Sequence, residues 1–327
     1  MEKGSWGRAD GADGSPQELA RGVAYLRDKI VNLFFVGEPG VADRGWVLVD
    51  AGLHGSADRI ERAADARFGP GARPTAIVLT HGHFDHVGAL ETLAERWDVP
   101  VYAHMMELPY LTGRSTYPPP DPTVGGGAMA RLAALYPKGP IDLRDRAQAL
   151  PEDGSVPGMP GWRWVFTPGH APGHVSFFRD EDRACIVGDA FVTTKQESAI
   201  AVLQQRQELH GPPMYFTPDW EAARESVRRL ADLEPSLAAT GHGVPMRGEK
   251  MLRQLRALAR DFDQLAKPAK GRYVDRPAVT DERGVVDLPP ARKDRLPLVV
   301  AGVAAAAIGA FLISRRRRSS DADDLEY

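Results

Sequence analysis

The most informative stretch of the sequence is His81-Gly-His83-Phe-Asp85-His86, which holds four potential metal ligands within six residues. Imidazole and carboxylate groups bind zinc and other borderline divalent ions. Three of the nine histidines of the chain fall here, which argues against a polar turn with chance histidines. Because His81 and His83 alternate, they can converge on one ion, while Asp85 and His86 point differently and can serve a second ion nearby. The stretch predicts a metal site with room for two ions.

Residues 80–88 resemble the H-x-H-x-D-H signature of the metallo-β-lactamase-fold hydrolases. Three later stretches resemble the motifs that supply the remaining ligands of this superfamily: Thr167-Pro-Gly-His170, Val187-Gly-Asp189 and Thr240-Gly-His242. Upstream, Val47-Leu-Val-Asp50-Ala-Gly52 matches the strand and turn that support the family's site. The resemblance covers about residues 20–265 with every motif in order, and its sequence context looks closest to the glyoxalase II-like thioesterases and the lactonases.

This resemblance implies two divalent metals, most simply zinc, with iron or manganese as alternatives. The implied ligands are His81, His83 and His170 for one metal and Asp85, His86 and His242 for the other, with Asp189 bridging the two. Each metal keeps a position for water, which is the design of a catalytic rather than a structural site. Water on such a metal has a pKa near about 7, so a metal-bound hydroxide is the implied nucleophile. Asp85 could also orient that hydroxide, which is the catalytic role we assign to it.

Four other residues are candidates for supporting roles. Asp50 and His174 are expected to position ligands through hydrogen bonds. His210 and Tyr215 lie in one predicted loop that could reach the metals, and we mark both as candidate substrate contacts. Cys185, the only cysteine, sits in an apolar strand and is interpreted as a core residue, so no disulfide framework is expected.

The implied reaction is hydrolysis of an ester, a thioester or a lactone. Two alternatives stay open: an iron-dependent oxidoreductase of the same fold, similar to the persulfide dioxygenases, and a phosphodiesterase. Persulfide dioxygenases use a single iron with fewer ligands than the seven that this sequence offers. Ribonuclease-type members of the superfamily carry an extra nucleic-acid-binding domain, which we do not find in this sequence. A net charge of −3 gives no basic footprint for nucleic acid, so a small-molecule substrate is expected.

The ligands need elements that hold them in place. The apolar run 76–79 predicts a buried strand that delivers the ligand-rich loop to a rigid edge. Residues 30–36 and 46–49 predict paired strands, and Ser56 is expected to cap the helix that follows. With 43% hydrophobic and 26% charged residues, the alternation of strands and helices suits an α/β (α+β) fold, the four-layer αββα sandwich of the resembled family. The Pro- and Gly-rich insertion 117–127 is either a lid or substrate wall, or a plain surface excursion.

The composition changes near both ends of the chain. Residues 296–313 carry no charge and would form a helix ~27 Å long, near the ~30 Å of a hydrocarbon core, which predicts a C-terminal transmembrane anchor. A weak helix packed on the catalytic domain is the alternative. Because no apolar signal segment follows the start, we expect the catalytic domain on the cytoplasmic side of the membrane. The predicted regions are a mobile tail (1–18), the catalytic domain (19–266), a linker (267–295), the anchor (296–313) and a charged tail (314–327).

Overall fold

The computed structural model describes residues 15–292. Two β-sheets pack face to face, and helices cover the outer side of each, so the layers run helix, sheet, sheet, helix. This arrangement confirms the αββα sandwich expected from the sequence. The first strand begins at Gln17, inside the tail predicted for residues 1–18.

The first sheet has seven strands whose spatial order follows the chain: β1 (Gln17–Ala20), β2 (Val23–Asp28), β3 (Val31–Val36), β4 (Val47–Val49), β5 (Ala76–Val78), β6 (Val101–Ala103) and β7 (Ala147–Ala149). The first four strands pair antiparallel and the last four in parallel. Parallel neighbours need crossover connections, which here contain α1 (Ala57–Phe68) and α2 (Leu90–Trp97). The insertion between β6 and β7 carries α3 (Leu108–Leu111) and α4 (Ala128–Leu132).

The second sheet has five strands, and their spatial order again follows their order in the chain. They are β8 (Trp162–Phe166), β9 (Val175–Arg179), β10 (Ala184–Gly188), β11 (Leu237–Thr240) and β12 (Met246–Arg247). Among them only β10 and β11 pair in parallel. The helices of this half are α5 (Ala199–Gln204), α6 (Trp220–Asp232), α7 (Gly248–Arg260) and α8 (Phe262–Leu265).

The core follows from the alternation of side chains along each strand. In β3, Phe34 packs between the two sheets, while its neighbours Leu33 and Phe35 pack beneath α1 and α2. In β10, Ile186 faces the first sheet and Cys185 faces α6 and α7. Cys185 is therefore a core residue, as predicted, and burial raises the pKa of its thiol to about 12.

Three strands end just before a predicted ligand, which brings the chemistry to one edge of the sandwich. β5 is followed by the loop of His81, β10 by Asp189 and β11 by the turn of His242. The last residue of β10, Gly188, has a φ of 61°. A Cβ atom there would lie 2.6 Å from Nε2 of His174, so only glycine lets the strand turn at this point.

Part of the predicted linker is folded. It contains the hairpin β13 (Val279–Asp281) and β14 (Gly284–Asp287), and it contacts the insertion of the first half. The hydroxyl of Tyr273 donates to the Pro119 carbonyl at 2.7 Å, and the Val285 backbone N–H donates to Ser115 at 3.2 Å. The charge-rich composition favoured a coil, but Tyr273 is buried and supplies the apolar contact that a coil would lack.

The prediction of a transmembrane helix is wrong for the fold that the structure describes. Within residues 15–292, no helix is long and apolar enough to cross a membrane. The longest helices in this range, α6 and α7, have 13 residues each, about 20 Å at 1.5 Å per residue, against about 30 Å of hydrocarbon. The predicted anchor, residues 296–313, lies outside the described residues. The anchor helix, the membrane as a partner and the membrane-anchored localisation are therefore withdrawn.

Candidate metal centre

The seven predicted ligands come together in one buried cluster at the edge of the sandwich. Each of these residues is at most 6% exposed. Three overlapping groups have ligand atoms that all lie within 4.8 Å of one another: His81 with His83 and His170, His81 with His86 and Asp189, and Asp85 with His86 and His242. Such a density of buried imidazoles and carboxylates is the donor set of a divalent metal site.

Asp189 lies between the two halves of the cluster. Its Oδ2 atom is 3.4 Å from Nε2 of His170 and 3.1 Å from Nε2 of His242. Its Oδ1 atom is 3.7 Å from Nε2 of His86. A Cβ atom at position 241 would come within 2.2 Å of Oδ1, so Gly241 leaves the room that this carboxylate needs.

Asp50 supports the ligand loop that follows β5. Its Oδ1 atom accepts a hydrogen bond from the Thr80 backbone N–H at 2.8 Å, and Oδ2 accepts from the Thr80 hydroxyl at 2.8 Å. The same Oδ2 lies 2.9 Å from Nδ1 of His86, which leaves Nε2 of that ring for the cluster. Asp50 has a φ of 61°, a conformation that costs energy for a residue other than glycine and is common at functional sites.

His174 supports Asp189 rather than joining the ligand groups. Its Nε2 atom accepts a hydrogen bond from the Asp189 backbone N–H at 2.9 Å. Its Nδ1 atom lies 2.9 Å from the hydroxyl of Thr167. The ring is completely buried, and burial lowers its pKa to about 3. A neutral ring with a proton on Nδ1 satisfies both contacts, so His174 fixes the start of the Asp189 turn.

The cluster has polar atoms that need a further partner. Within the described part of the chain, Nε2 of His81, Nε2 of His86 and Oδ1 of Asp189 are buried without a hydrogen bond. An unsatisfied buried polar atom costs about 1–3 kcal/mol, so native proteins rarely keep several side by side. A divalent cation would satisfy all three, and the residues present therefore fit the metal that their chemistry implies.

The protonation states of His81, His83 and His170 suit a cation. Against the effect of burial, Asp50 and Asp189 raise the pKa of His86, and Asp189 and Asp85 raise that of His242. Burial, followed by the neighbouring histidines, lowers the pKa of His81 and His170 well below the ordinary value, and burial lowers that of His83 to about 3. Neutral imidazoles keep a lone pair for a metal. Burial disfavours the charged form of Asp189, yet His242 and His86 hold its pKa well below its usual range. Asp189 is therefore ionised.

The pattern of the metallo-beta-lactamase superfamily matches residues 26–242 of this chain. That range contains all seven residues of the buried cluster. The chain belongs to the metallo-beta-lactamase superfamily.

Two relatives of this superfamily member are named as probable metallo-hydrolases. The probable metallo-hydrolase YflN of Bacillus subtilis (strain 168) is 50% identical over 246 residues, which are 75% of this chain and 93% of that protein. The probable metallo-hydrolase YybB of the same organism is 32% identical over 196 residues, 60% of this chain and 74% of that protein. A beta-lactamase domain protein from Burkholderia ambifaria shares the fold, with a TM-score of 0.54, 21% identity and 78% of each chain covered. The prediction of a metal-dependent hydrolase is confirmed.

A cleft opens onto the clustered histidines and aspartates of this metallo-hydrolase. Five of the seven cluster residues form its floor. Its wall is largely apolar and combines the insertion of the first half with a loop of the second: Ile30, Phe84, Met129, Tyr136, Pro213, Tyr215 and Phe216, together with the amide of Gln196. In the part of the chain that the structure describes, no lysine or arginine lines this cleft. Met129 and Tyr136 follow the Pro- and Gly-rich stretch 117–127, and none of the residues of that stretch lines this cleft.

The two candidate substrate contacts have different positions. Tyr215 lines the cleft and is 3% exposed. His210 lines another cleft, beside Lys195 and Glu208. Its backbone pairs with that of Val192 in both directions, at 2.8 and 3.1 Å, and its side chain does not line the cleft of the cluster. The structure therefore brings Tyr215, and not His210, to the centre.

Glu107 is a functional residue that the sequence analysis missed. It lies in the 3-10 turn Met105–Glu107 after β6, is completely buried, and accepts hydrogen bonds from the loops of two predicted ligands. In the sequence it is an ordinary glutamate at the start of a helical turn, 21 residues after His86. Since its partners are backbone groups far along the chain, no motif could reveal it.

Proposed function

We propose that this superfamily member is a two-metal hydrolase of carboxylic acyl compounds, that is, of esters, thioesters or lactones. One observation carries the proposal. Seven buried imidazole and carboxylate groups form one cluster, and five of them form the floor of a cleft whose wall is apolar and, within residues 15–292, has no lysine or arginine. The floor suits a hydrolytic metal pair, and the wall suits an uncharged acyl group.

The assignment of ligands follows the groups that approach one another. His81, His83 and His170 would hold one ion, Asp85, His86 and His242 the other, and Asp189 would lie between them. Five imidazoles and two carboxylates suit zinc, which we assign, with iron and manganese as the alternatives. Such a pair, when bound, lowers the pKa of a water ligand and polarises a carbonyl oxygen.

Three residues of the chain can act on the reacting groups. Asp85 lines the cleft 3.4 Å from Nε2 of His242, where its carboxylate can accept a hydrogen bond from a reacting water and orient it. Tyr136 and Tyr215 line the same cleft. Burial raises the pKa of Tyr136 to about 12 and that of Tyr215 well above its ordinary value. Both phenols keep their proton at neutral pH and can donate to a substrate oxygen.

The charge of the cleft favours acyl compounds over phosphodiesters. Sites that recognise phosphate usually offer arginine or lysine, and the residues lining this cleft in the described chain include neither. Phe84, Met129, Tyr136 and Phe216 instead provide an apolar surface that an acyl group can cover.

Metal content tests the first half of the proposal. Gently purified protein should contain close to two metal ions per chain by elemental analysis. Its activity should disappear on dialysis against a chelator and return with added Zn²⁺. A content below one ion per chain, or full activity after chelation, would contradict a two-metal mechanism.

A substrate panel tests the second half. An ester, a thioester and a lactone of one acyl length should be compared with a phosphodiester of similar size. For at least one acyl compound, kcat/KM should exceed that for the phosphodiester by on the order of 100-fold, because the wall of the cleft offers a phosphate no lysine or arginine. Cleavage of the phosphodiester alone would favour the phosphodiesterase alternative. Oxygen consumption with a persulfide and iron, without hydrolysis, would favour the oxidoreductase.

The apolar wall gives a first prediction about specificity. Tyr136 packs against Phe84 with ring centroids 5.4 Å apart and lines the cleft. Tyr136→Ala should raise KM for a medium-chain acyl ester about tenfold, because loss of an aromatic contact of this kind costs about 1–2 kcal/mol. Tyr136→Phe keeps the ring and is the matched control: it loses only the phenol hydrogen bond proposed above, so its KM should rise less than that of Tyr136→Ala. Equal KM for all three proteins would show that the acyl group does not bind along this wall.

A further inference from the structure

Glu107 joins two loops that are separated by about 90 residues of sequence. Its Oε2 atom accepts a hydrogen bond from the Gly82 backbone N–H at 2.8 Å, between His81 and His83. Its Oε1 atom accepts from the Gly173 backbone N–H at 2.7 Å, three residues after His170. One carboxylate therefore spans the two loops that carry all three histidines of the first proposed ion.

Tyr117 completes this arrangement from the insertion. Its hydroxyl donates to Oε2 of Glu107 and lies 3.0 Å from the Gly82 backbone nitrogen. Its ring packs against that of His83, with centroids 4.7 Å apart. Both Tyr117 and Glu107 are buried, so water does not compete for these contacts.

The glycines at the two contact points leave room for the side chains of Tyr117 and Glu107. A Cβ atom at Gly82 would come 2.5 Å from the hydroxyl oxygen of Tyr117. A Cβ atom at Gly173 would come 2.7 Å from Cγ and 2.8 Å from the backbone nitrogen of Glu107. Glycine at position 82 therefore allows the close approach of Tyr117, and glycine at position 173 allows that of Glu107.

The ligands of the second proposed ion are held by other groups. Nδ1 of His86 lies 2.9 Å from Asp50, and Nδ1 of His242 lies 2.7 Å from the carbonyl oxygen of Ile30. Neither contact involves Glu107. The two halves of the centre thus have separate supports.

We propose that Glu107, assisted by Tyr117, is a positioning residue for one ion only, the one assigned to His81, His83 and His170. The inference rests on the proposed two-metal centre. Glu107→Gln is the direct test because it keeps the size of the side chain. Whichever way the new amide turns, its NH₂ group faces a backbone N–H of Gly82 or Gly173 that it cannot accept from. One of the two loops then loses its hydrogen bond to residue 107, and the Gly82 N–H would keep only the Tyr117 hydroxyl as an acceptor.

The experiment measures Co²⁺ affinity of the full chain, by competition with a coloured chelator, and needs no substrate. His242→Ala leaves the first ligand group intact, and His83→Ala leaves the second. In the His242→Ala background, Glu107→Gln should weaken Co²⁺ binding about 10–100-fold, as changes to the partners of metal ligands do. In the His83→Ala background it should leave the affinity unchanged.

Glu197→Gln is the matched control. Glu197 is a buried glutamate that accepts one backbone hydrogen bond, from Met214 at 2.8 Å, and its substitution should not change Co²⁺ affinity in either background. Should Glu107→Gln fail to fold, Tyr117→Phe removes one donor from the same oxygen and should give a smaller loss with the same selectivity.

Two results would overturn the inference. The first is that Glu107→Gln causes no loss of Co²⁺ affinity in the His242→Ala background. The second is an equal loss of Co²⁺ affinity in both backgrounds, which would mean that the substitution loosens the whole fold. The wild-type stoichiometry separates this inference from the proposed function. If the wild type takes up a single Co²⁺, the two-metal proposal fails, while Glu107 is still judged by the loss in the His242→Ala background.

Discussion

Three of the clustered histidines have one ring nitrogen engaged outside the centre, and this decides which nitrogen faces it. Nδ1 of His86 contacts Asp50, Nδ1 of His242 contacts the Ile30 carbonyl, and Nδ1 of His81 lies 3.1 Å from the Thr80 hydroxyl. A partner at Nδ1 fixes the tautomer and the ring orientation, so Nε2 is left with its lone pair. These contacts therefore orient the three rings so that Nε2 of each can bind a cation.

His174 allows this principle to be tested at a residue that is not in any ligand group. His174→Leu removes the acceptor for the Asp189 backbone N–H and should lower kcat/KM of the zinc-loaded protein about 10–100-fold. His174→Gln is the matched variant because its amide oxygen can replace Nε2 as the acceptor, and it should recover part of the loss. Wild-type activity in His174→Leu would disprove a positioning role.

His104 gives a prediction about pH. Its half-buried ring stacks on Phe166, with centroids 4.4 Å apart, and burial lowers its pKa to about 4. The unfolded chain, with an ordinary pKa of about 6.5, therefore binds the proton more readily. The stabilising effect of the neutral ring is complete above about pH 6.5 and is lost as the pH falls towards 4. The slope for one proton is at most about 1.4 kcal/mol per pH unit, and less for a ring that water partly screens.

Thermal unfolding between pH 7 and 4.5 checks this prediction. His104→Phe keeps the stacked ring and removes the titrating group. The Tm of the wild type should fall more steeply towards acid pH than that of the variant, while other buried histidines affect both proteins alike. Parallel curves would mean that His104 does not titrate differently in the folded protein.

At the scale of elements, the ligand-bearing loops could be predicted because each follows a strand with a clear apolar pattern. Residues 76–79, 184–187 and 237–239 are apolar, and the structure has β5, β10 and β11 there. Such strands are buried on both faces, which short apolar runs indicate well. The histidines and aspartates that follow these apolar strands are therefore easily recognised as candidate ligands. The sequence alone was sufficient to predict this part of the site.

Other local features could not be predicted because distant residues decide them. Ser56 precedes α1 but makes no capping hydrogen bond, since its hydroxyl donates to Asp28 in β2 instead. The role of Glu107 depends on the hydrogen bonds that it accepts from the backbone N–H groups of Gly82 and Gly173. The hairpin of β13 and β14 is ordered by contacts with the insertion, at Ser115 and Pro119. A single sequence contains the local preference and not these long-range partners.

The hairpin leads to a prediction about the substrate wall. Ending the chain after Lys267 removes the contacts of Tyr273 with Pro119, of Arg272 with Asp121 and of Val285 with Ser115. Three hydrogen bonds at about 0.5–1.5 kcal/mol each should cost roughly 2–4 kcal/mol of stability. Because the insertion also carries Met129 and Tyr136, KM for an acyl ester should rise more than kcat falls.

A chain that ends after Arg292 is the control for this truncation. It keeps the hairpin and every contact named above, so its Tm and KM should equal those of the full chain. Equal KM in the shorter truncation, with a lower Tm, would limit the hairpin to a role in stability.

At the scale of the whole molecule, each half of the sandwich supplies part of the metal centre. His81, His83, Asp85 and His86 follow β5 of the first sheet, whereas His170, Asp189 and His242 come from loops of the second. The two sheets also meet through an apolar interface that includes Phe34 and Ile186, and through hydrogen bonds from Asn32 to the carbonyls of Thr240 and Gly243. A cation held by both sets of ligands would therefore also hold the two halves together.

Metal removal should consequently destabilise the whole fold and not the loops alone. A ligand that binds only the folded state stabilises it by about 4 kcal/mol when its free concentration is about 1,000 times Kd. For a domain of this size, 1 kcal/mol shifts Tm by roughly 2–4 °C, so the expected loss is on the order of 10 °C. Calorimetry of zinc-loaded and chelated protein measures it. His81→Ala, which removes a ligand shared by two of the three groups, should show a much smaller difference between the two conditions. If chelation lowered the activity but left Tm unchanged, the metals would act on chemistry without joining the halves, and the apolar interface alone would hold the sandwich together.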